Sequence, residues 1–541
     1  MRVLGINAVF HDSAAALVVD GHTVAAAEEE RFSRRKHAKR PVPFSSWELP
    51  EEAIAWCLRQ GDLDISEIDA VAYSYDPDYV DPESAGLDEN WEYLRTTYAR
   101  RAPYFLRAAF SSYDPANFRY VRHHIAHAAS AGLASPGGDG AVLVLDGRGE
   151  RGSMLAGEYR HGKLDILAMQ ELPHSLGFLY EELTEHLGFA RSSDEYKVMA
   201  IASYGTPRYL DELRKFVRTT GDGGFRTDRF DWNRFAPRRA RGEGFEQEHA
   251  DLACSVQAVL EEVLLELCTW LANKTAARHL TLAGGTALNC VANTRVHSDG
   301  PFESLWIQPA SGDSGTALGA ALTLAAEAGD EIMPMTGAAL GRSWSDDDIE
   351  AILRTARVRY TKPADIGTEA ARILAENGVI GWFQGRSEFG PRALGNRSLL
   401  AHPGHKSNVE RLNDIKGREQ FRPVAPMVLE SRASEIFARG PIPSPYMLFV
   451  HDVDPQWRER LGAVTHVDGT ARIQTIDPKR DALMASVLTE FDRLTGTPVV
   501  VNTSLNTAGR PMVDSPHDAL ELFGSAPVDA LAIGSFLVSR T

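Results

Sequence analysis

Cysteine is scarce: four residues in 541 (Cys57, Cys254, Cys268 and Cys290), with no CxxC pair among them. That spacing excludes a disulfide-stapled framework and a cysteine zinc site, and suits reduced, mostly buried thiols. No run of about 18 apolar residues occurs, which excludes a spanning helix. Positive charge is in deficit, with 57 Lys and Arg against 74 Asp and Glu, a net charge of −17. A broad nucleic-acid footprint is thereby excluded, although one local basic pocket is not. The N-terminal MRVLGINAVFHDS meets charge after a short apolar run, unlike a secretory signal. The expectation is a cytoplasmic protein with neither a membrane nor a nucleic-acid partner. Its length exceeds what one core accommodates, so two or three domains are expected.

What is present is organised around residues 121–150, VRHHIAHAASAGLASPGGDGAVLVLDGRGE. His123 and His127 stand one helical turn apart, so both imidazoles leave the same face. Pro-Gly-Gly ends that helix, and the apolar run Ala141–Leu145 is a strand that delivers Asp146 to its end. Two histidines and a carboxylate make a divalent-metal site; the alternative is a helix-surface pair and a turn-capping Asp. A strand–turn–strand–turn–strand plan begins at Ala141, and the same plan opens the chain at Arg2, which points to two related halves of one nucleotide-handling core. The basic run 31–40 (RFSRRKHAKR) fits either a solvated loop or an anion pocket.

Further on, a strand, Gly284-Gly285 and a helix form a junction whose backbone amides suit a nucleotide. A second such junction places Asp313 at a helix start, where it either caps the helix or adds a metal ligand. Residues 218–244 read as an irregular exposed insertion, and Asp251–Ala277 as a long helix with a core stripe. Composition shifts around 329–342, and the boundary is expected near 345–360, giving domains 1–350 and 351–541. The second domain carries Arg386, Arg392, Arg397, Lys416, Arg418, Arg422 and Arg472 in Gly/Pro loops and on a strand, a pattern favouring an anion pocket.

These motifs together resemble the O-carbamoyltransferases of nodulation-factor, cephamycin and tobramycin biosynthesis. The markers are HDSAAALV (11–18), EEERFSRRKH (28–37), HHIAHAASA (123–131), GGTALNCVAN (284–293), GRSEFGPRALGNRS (385–398), FRPVAP (421–426) and NTSLNTAGRPMV (502–513). The resemblance implies an α/β chain: an actin-like (duplicated, ASKHA-type) N-terminal domain and a YrdC-like α/β C-terminal domain. It implies that ATP, with Mg2+, and carbamoyl phosphate give a carbamoyl adenylate in the second domain, at Lys416, Arg422, Arg472 and Ser504 with Arg392 and Asn502 beside them. It further implies a metal held by His123, His127, Asp146 and Asp313, where ferrous iron is favoured over zinc or manganese. There the carbamoyl group passes to a small-molecule hydroxyl, a bacterial natural product such as an antibiotic being the expected acceptor. His11 is the candidate general base, against a role as a turn residue bonded to backbone. Gly284, Gly285 and Asn289 are expected to cradle the nucleotide, Lys39 to reach its phosphates, and His124 competes with His123 as ligand. Oligomeric state is not legible, a homodimer being compatible.

Three other readings compete. A tRNA threonylcarbamoyl-forming fusion uses the same domain types, but the negative charge counts against tRNA. A metalloprotease built on HHIAH lacks a glutamate inside the motif. A non-catalytic actin-like ATP-binding module leaves the arginine-rich second domain unexplained.

Overall fold

A computed structural model describes residues 1–8, 11–38, 49–80 and 89–540. They form two compact units, Met1–Gly337 and Ala338–Thr541. The division precedes the expected 350/351 boundary because residues 338–350 pack with the C-terminal segment: Trp344 lies against the second core and Arg342 pairs with Asp514.

The first unit contains two five-stranded sheets. One is built from β1 (Arg2–Asn7), β2 (Ala14–Val19), β3 (His22–Glu28), β4 (Ala70–Tyr73) and β5 (Phe118–Tyr120), in the order β3-β2-β1-β4-β5. The other uses β6 (Gly140–Leu145), β7 (Gly152–Arg160) and β8 (Lys163–Glu171). After a small hairpin of β9 (Val217–Thr219) and β10 (Phe225–Thr227), it adds β11 (His279–Ala283) and β12 (Ser304–Ile307), in the order β12-β11-β6-β7-β8. Each sheet is an antiparallel three-strand meander followed by two parallel strands, β4 and β5 in one and β11 and β12 in the other. The repeat read from the sequence therefore extends to all five strands. Strands β2 and β6 read as unbroken apolar runs because helices cover both faces, whereas a one-sided sheet would alternate.

Helix α1 (His123–Gly132) and helix α2 (Ser314–Glu327) pack on each other, and α2 also packs on β1. Small residues set these distances. A Cβ on Gly5 would stand 1.8 Å from the Ala317 carbonyl oxygen, and one on Gly319 would stand 1.7 Å from that of Ala126. The Gly/Ala composition of SGTALGAALTLAA is thus what lets α2 lie close enough to bring Asp313, at its start, toward α1.

The second unit holds β13 (Ile380–Phe383), β14 (Arg397–Ala401) and β15 (Ala425–Leu429). Next come a three-stranded piece of β16 (Phe437–Ala438), β17 (His451–Val453) and β18 (Thr470–Ala471), then β19 (Gln474–Ile476), β20 (Val499–Ser504), β21 (Ala530–Ile533) and β22 (Phe536–Ser539). The large sheet runs β19-β15-β20-β14-β13-β21-β22. Successive side chains alternate between its faces: Trp382, Leu400 and Val500 pack with Leu374, Leu488 and Phe491, whereas Phe383, Leu399 and Val501 pack with Leu353, Leu412 and Leu522. Arg472, expected on a strand, falls in the break between β18 and β19. Among the described residues no helix is long and apolar enough to cross a membrane.

Candidate active site

Four predicted ligands converge. His123 and His127, on the buried face of α1, bring their Nε2 atoms to 3.1 Å from each other. Asp146, just past β6, places Oδ2 3.3 Å from His123 Nε2 and 3.9 Å from His127 Nε2. Asp313 Oδ1 lies 3.7 Å from each of the same nitrogens. Asp313 makes no side-chain capping bond to α2, so the capping alternative falls away and its carboxylate faces the histidines. Donors about 2.0–2.2 Å from a common ion stand roughly 3–4 Å from one another. The observed separations match that span, and the four residues fit a divalent metal on donor chemistry as well.

Surrounding bonds aim these donors. His123 Nδ1–H donates to the Ser74 carbonyl at 3.3 Å, which leaves Nε2 as the ring nitrogen that faces the cluster. Asp146 Oδ1 accepts the Gly285 N–H at 3.0 Å, leaving Oδ2 toward the histidines. Glu150, buried, accepts the backbone N–H groups of His123 and Asp76, both at 2.8 Å, and so anchors the start of α1. Burial opposes protonation of His123, but the hydrogen bond to Asp146 and the charges of Asp313, Asp146 and Glu150 lift it to about 9. For Asp146, burial is outweighed by the same histidines, which hold it below the usual carboxylate range. His124 does not join: it lies outside the group of four, with its ring against Gly149, and burial and the neighbouring His123 push it down to about 3.

The Gly-Gly junction serves this cluster. The Gly284 N–H donates to the Ser311 carbonyl at 2.8 Å and the Gly285 N–H to Asp146. Gly284 has φ +91°, and a Cβ there would stand 2.2 Å from the Leu145 carbonyl. Both amides expected to cradle a nucleotide are therefore used internally. Asn289 likewise caps the helix Cys290–Asp299 through the Ala292 N–H and exchanges amide bonds with Gln257.

His11 lies on the turn between β1 and β2, its Nδ1 3.0 Å from Asp12 Oδ2. His37 approaches the other carboxylate oxygen, Nδ1 to Oδ1, at 2.7 Å. Burial opposes the charged form of Asp12, but the two imidazoles hold it well below the ordinary carboxylate range. The described part of the basic run is divided: Arg31 is buried against Glu28, whereas Arg35 and Lys36 are exposed, Lys36 lying 3.8 Å from Glu30. Lys39 lies outside the described residues.

In the second unit, Lys416 is buried and donates to Ser504 Oγ at 2.9 Å, to the Ser504 carbonyl and to Asn506. Asn502, two residues back along β20, donates to the Ala393 carbonyl (3.0 Å) and to Gln474 Oε1 (2.7 Å), while Gln474 donates to the Leu394 carbonyl (2.8 Å). These bonds tie together the loop carrying Arg392 and the segment carrying Arg472. The same loop is held from its other side by buried Glu388, whose Oε1 accepts the N–H groups of Leu394 (2.7 Å), Asn396 (3.0 Å) and Arg397 (3.2 Å). Arg422 stands 3.5 Å from Glu419. Three other arginines of the expected anion pocket are structural. Arg397 is buried over the Phe383 ring and donates to the carbonyls of Gln384 and Arg342; Arg386 donates to that of Gly341; Arg418 bonds Asn413. Asn502 is likewise a brace for the loop, with its amide nitrogen turned inward.

Sequence reasoning passed over Glu388, Gln474, Asn506, Glu150, Ser74 and His37. Glu388, Asn506 and His37 sit inside quoted motifs; Ser74 and Gln474 carry no signal of their own.

The two units are thus those of a mixed α/β protein with a four-residue cluster that could hold a metal ion in its duplicated half and a braced loop in the other. Residues 2–322 match the family model described as carbamoyltransferase N-terminus, and residues 371–540 match that of the carbamoyltransferase C-terminus. The chain belongs to the carbamoyltransferase family and is a carbamoyltransferase. It is 36% identical over 556 residues to nodulation protein NolNO of Sinorhizobium fredii, covering 99% of this chain and 80% of the relative. To nodulation protein NolO of Bradyrhizobium diazoefficiens it is 38% identical over 440 residues, covering 78% and 79%. A solved structure of HypF from T. kodakarensis is similar at 16% identity and TM-score 0.32, covering 61% of this chain and 49% of that one.

Proposed function

We propose that the chain is an ATP-dependent O-carbamoyltransferase whose two units divide the reaction. The observation that carries the reading is the largely buried His123/His127/Asp146/Asp313 cluster in a chain of the carbamoyltransferase family. In the second, YrdC-like unit, carbamoyl phosphate, ATP and one water give carbamoyl adenylate, phosphate and pyrophosphate. Lys416, Arg422, Arg392 and Arg472 hold the anionic groups and offset charge growing on the departing pyrophosphate. The duplicated sheets support an actin-like reading of the first unit, where the carbamoyl group reaches its acceptor.

There His11 takes the proton of the acceptor hydroxyl as its oxygen bonds the carbamoyl carbon; the bond from that carbon to the phosphate oxygen breaks and AMP leaves. The cluster would hold a divalent metal, ferrous iron being favoured, that polarises the carbamoyl carbonyl or holds the adenylate phosphate. The acceptor is a small-molecule hydroxyl, a bacterial natural product in our reading, and the reduced cysteines suit the cytoplasm.

The test is pyrophosphate release from ATP with and without carbamoyl phosphate, in wild type and Arg422→Ala. Release that depends on carbamoyl phosphate and disappears in the variant is expected. Release indifferent to carbamoyl phosphate overturns the reading and favours a tRNA-modifying or purely ATP-binding role.

A further inference from the structure

His37 is used by no step above, yet three separate segments are built around it. The turn carrying His11 and Asp12 is fixed by Asn7, whose Nδ2 donates to the His11 carbonyl at 2.7 Å and the Asp12 carbonyl at 3.1 Å. Asn7 Oδ1 in turn accepts from Ser74 Oγ at 3.0 Å, and Ser74 is the residue whose carbonyl receives His123 Nδ1–H. Asp12 has φ +48° and His37 φ +58°, left-handed conformations that cost a non-glycine residue free energy unless neighbours over-determine them. For His37 the over-determination is visible: its backbone N–H donates to Glu30 Oε2 at 2.7 Å. A third segment supplies Ser193, whose Oγ lies 3.1 Å from His37 Nε2, beside Ser192 with its own φ of +56°.

At the centre, one carboxylate is held by two imidazoles, Oδ2 by His11 and Oδ1 by His37, with ring centroids 4.2 Å apart. An ionised carboxylate only accepts, so both Nδ1 atoms carry hydrogen. His11 then has its lone pair on Nε2, the nitrogen a general base uses. A carboxylate behind a catalytic imidazole fixes its tautomer and orientation and stabilises the imidazolium that forms, without itself taking the proton. Such a carboxylate acts only as well as it is itself held.

We propose that His37 is a positioning residue for the transfer step, holding Asp12 so that Asp12 aligns His11. This rests on the reading of His11 as base. The proton goes from the acceptor hydroxyl to His11 Nε2, and neither Asp12 nor His37 gains or loses one. The bond that matters is His37 Nδ1–H to Asp12. An asparagine, whose Nδ2–H occupies nearly the place of a histidine Nδ1–H, should replace it where alanine cannot.

The experiment uses the full chain with His37→Ala, His37→Asn and His11→Ala. Carbamoyl-phosphate-dependent pyrophosphate release reports adenylation; AMP release with water as nucleophile reports carbamoyl consumption; 15N-histidine NMR reports the Nδ1–H groups bonded to Asp12. His37→Ala should slow AMP release about 10- to 100-fold, leave pyrophosphate release within about 2-fold, and shift or abolish the His11 Nδ1–H resonance. His37→Asn should restore both AMP release and that resonance. Equal defects in the alanine and asparagine variants, as a metal held by His11, Asp12 and His37 would give, overturn the proposal. So does a His11 resonance unchanged in His37→Ala, which decides the matter even if water is not turned over. A defective His11→Ala beside a normal His37→Ala sinks this proposal alone, whereas an unimpaired His11→Ala sinks the base assignment beneath it.

Discussion

The two polar centres of this chain are built on opposite plans. In the first unit, two histidines from α1 and carboxylates from the ends of two other segments point at one another, and the spare atom of Asp146 and the spare nitrogen of His123 are bonded to backbone. In the second unit most polar side chains turn toward the protein itself: Glu388, Asn502, Gln474 and Arg397 hold backbone groups of the 384–397 loop. One centre gathers side-chain donors; the other uses polar groups to brace the backbone of a loop. A converging ligand set is therefore sensitive to any single donor. A braced loop should instead distribute the damage.

The largest expected effects come from separating the two. Asp146→Asn or His127→Ala should reduce AMP release at least ~100-fold and bring bound metal well below one equivalent by elemental analysis, with pyrophosphate release retained. Lys416→Ala should do the reverse, with a loss of about 100-fold or more in pyrophosphate release and unchanged metal content. If either substitution abolishes both half-reactions in protein of unchanged Tm, the division of labour is wrong. A smaller effect is expected of chelation. Dialysis against a chelator should lower the Tm of wild type in proportion to metal lost, and should leave the Tm of Asp146→Asn unmoved.

The braced loop gives an intermediate case. Glu388→Ala removes the acceptor of three backbone amides at once. Loss of about 10-fold in pyrophosphate release is expected, with metal content and AMP release from preformed adenylate unaffected. An undiminished rate would mean that the loop keeps its shape without Glu388 and that Arg392 is not positioned through it.

The same contrast explains which residues are legible from the chain alone. His123, His127 and Asp146 are legible because helical period and strand end together dictate where they point. Asp313 is ambiguous in sequence, since a helix-start Asp caps far more often than it ligates; its lack of a capping bond and its 3.7 Å distance from both histidine nitrogens set it in the cluster. The repeated five-strand plan shows itself through its first three strands, and the two parallel strands that complete each sheet are too distant in sequence to be paired by inspection. The arginines mislead for a physical reason. Guanidinium groups satisfy backbone carbonyls as readily as phosphates, so Arg386 and Arg397 look identical in sequence to Arg392. Gly284 and Gly285 mislead similarly, because a tight strand–helix junction needs glycine whether its amides face a nucleotide or, as here, Ser311 and Asp146.

The smallest predicted effect isolates the fold from both centres. Glu29 is buried at the start of the helix Glu51–Gln60, where Oε2 accepts the Ala53 N–H at 2.8 Å. Burial, reinforced by Glu52 and Glu51 and only partly offset by the Ala53 N–H, pushes its carboxyl up to about 8. The native state therefore binds this proton more tightly than the unfolded chain, whose glutamates titrate near 4.3. Stability from this group is fully present below the unfolded value and is lost as pH rises through about 8. Glu29→Gln keeps the acceptor and cannot ionise, so its Tm should match wild type near pH 4 and exceed it progressively between about pH 5 and pH 8. Comparing the two Tm series removes every other titrating group common to both proteins. A constant Tm difference across that range would mean that Glu29 stays ionised when folded. A growing one would show that an alkaline loss of activity shared by both half-reactions originates in the fold, leaving only a loss confined to one half-reaction to be traced to that half-reaction's own site.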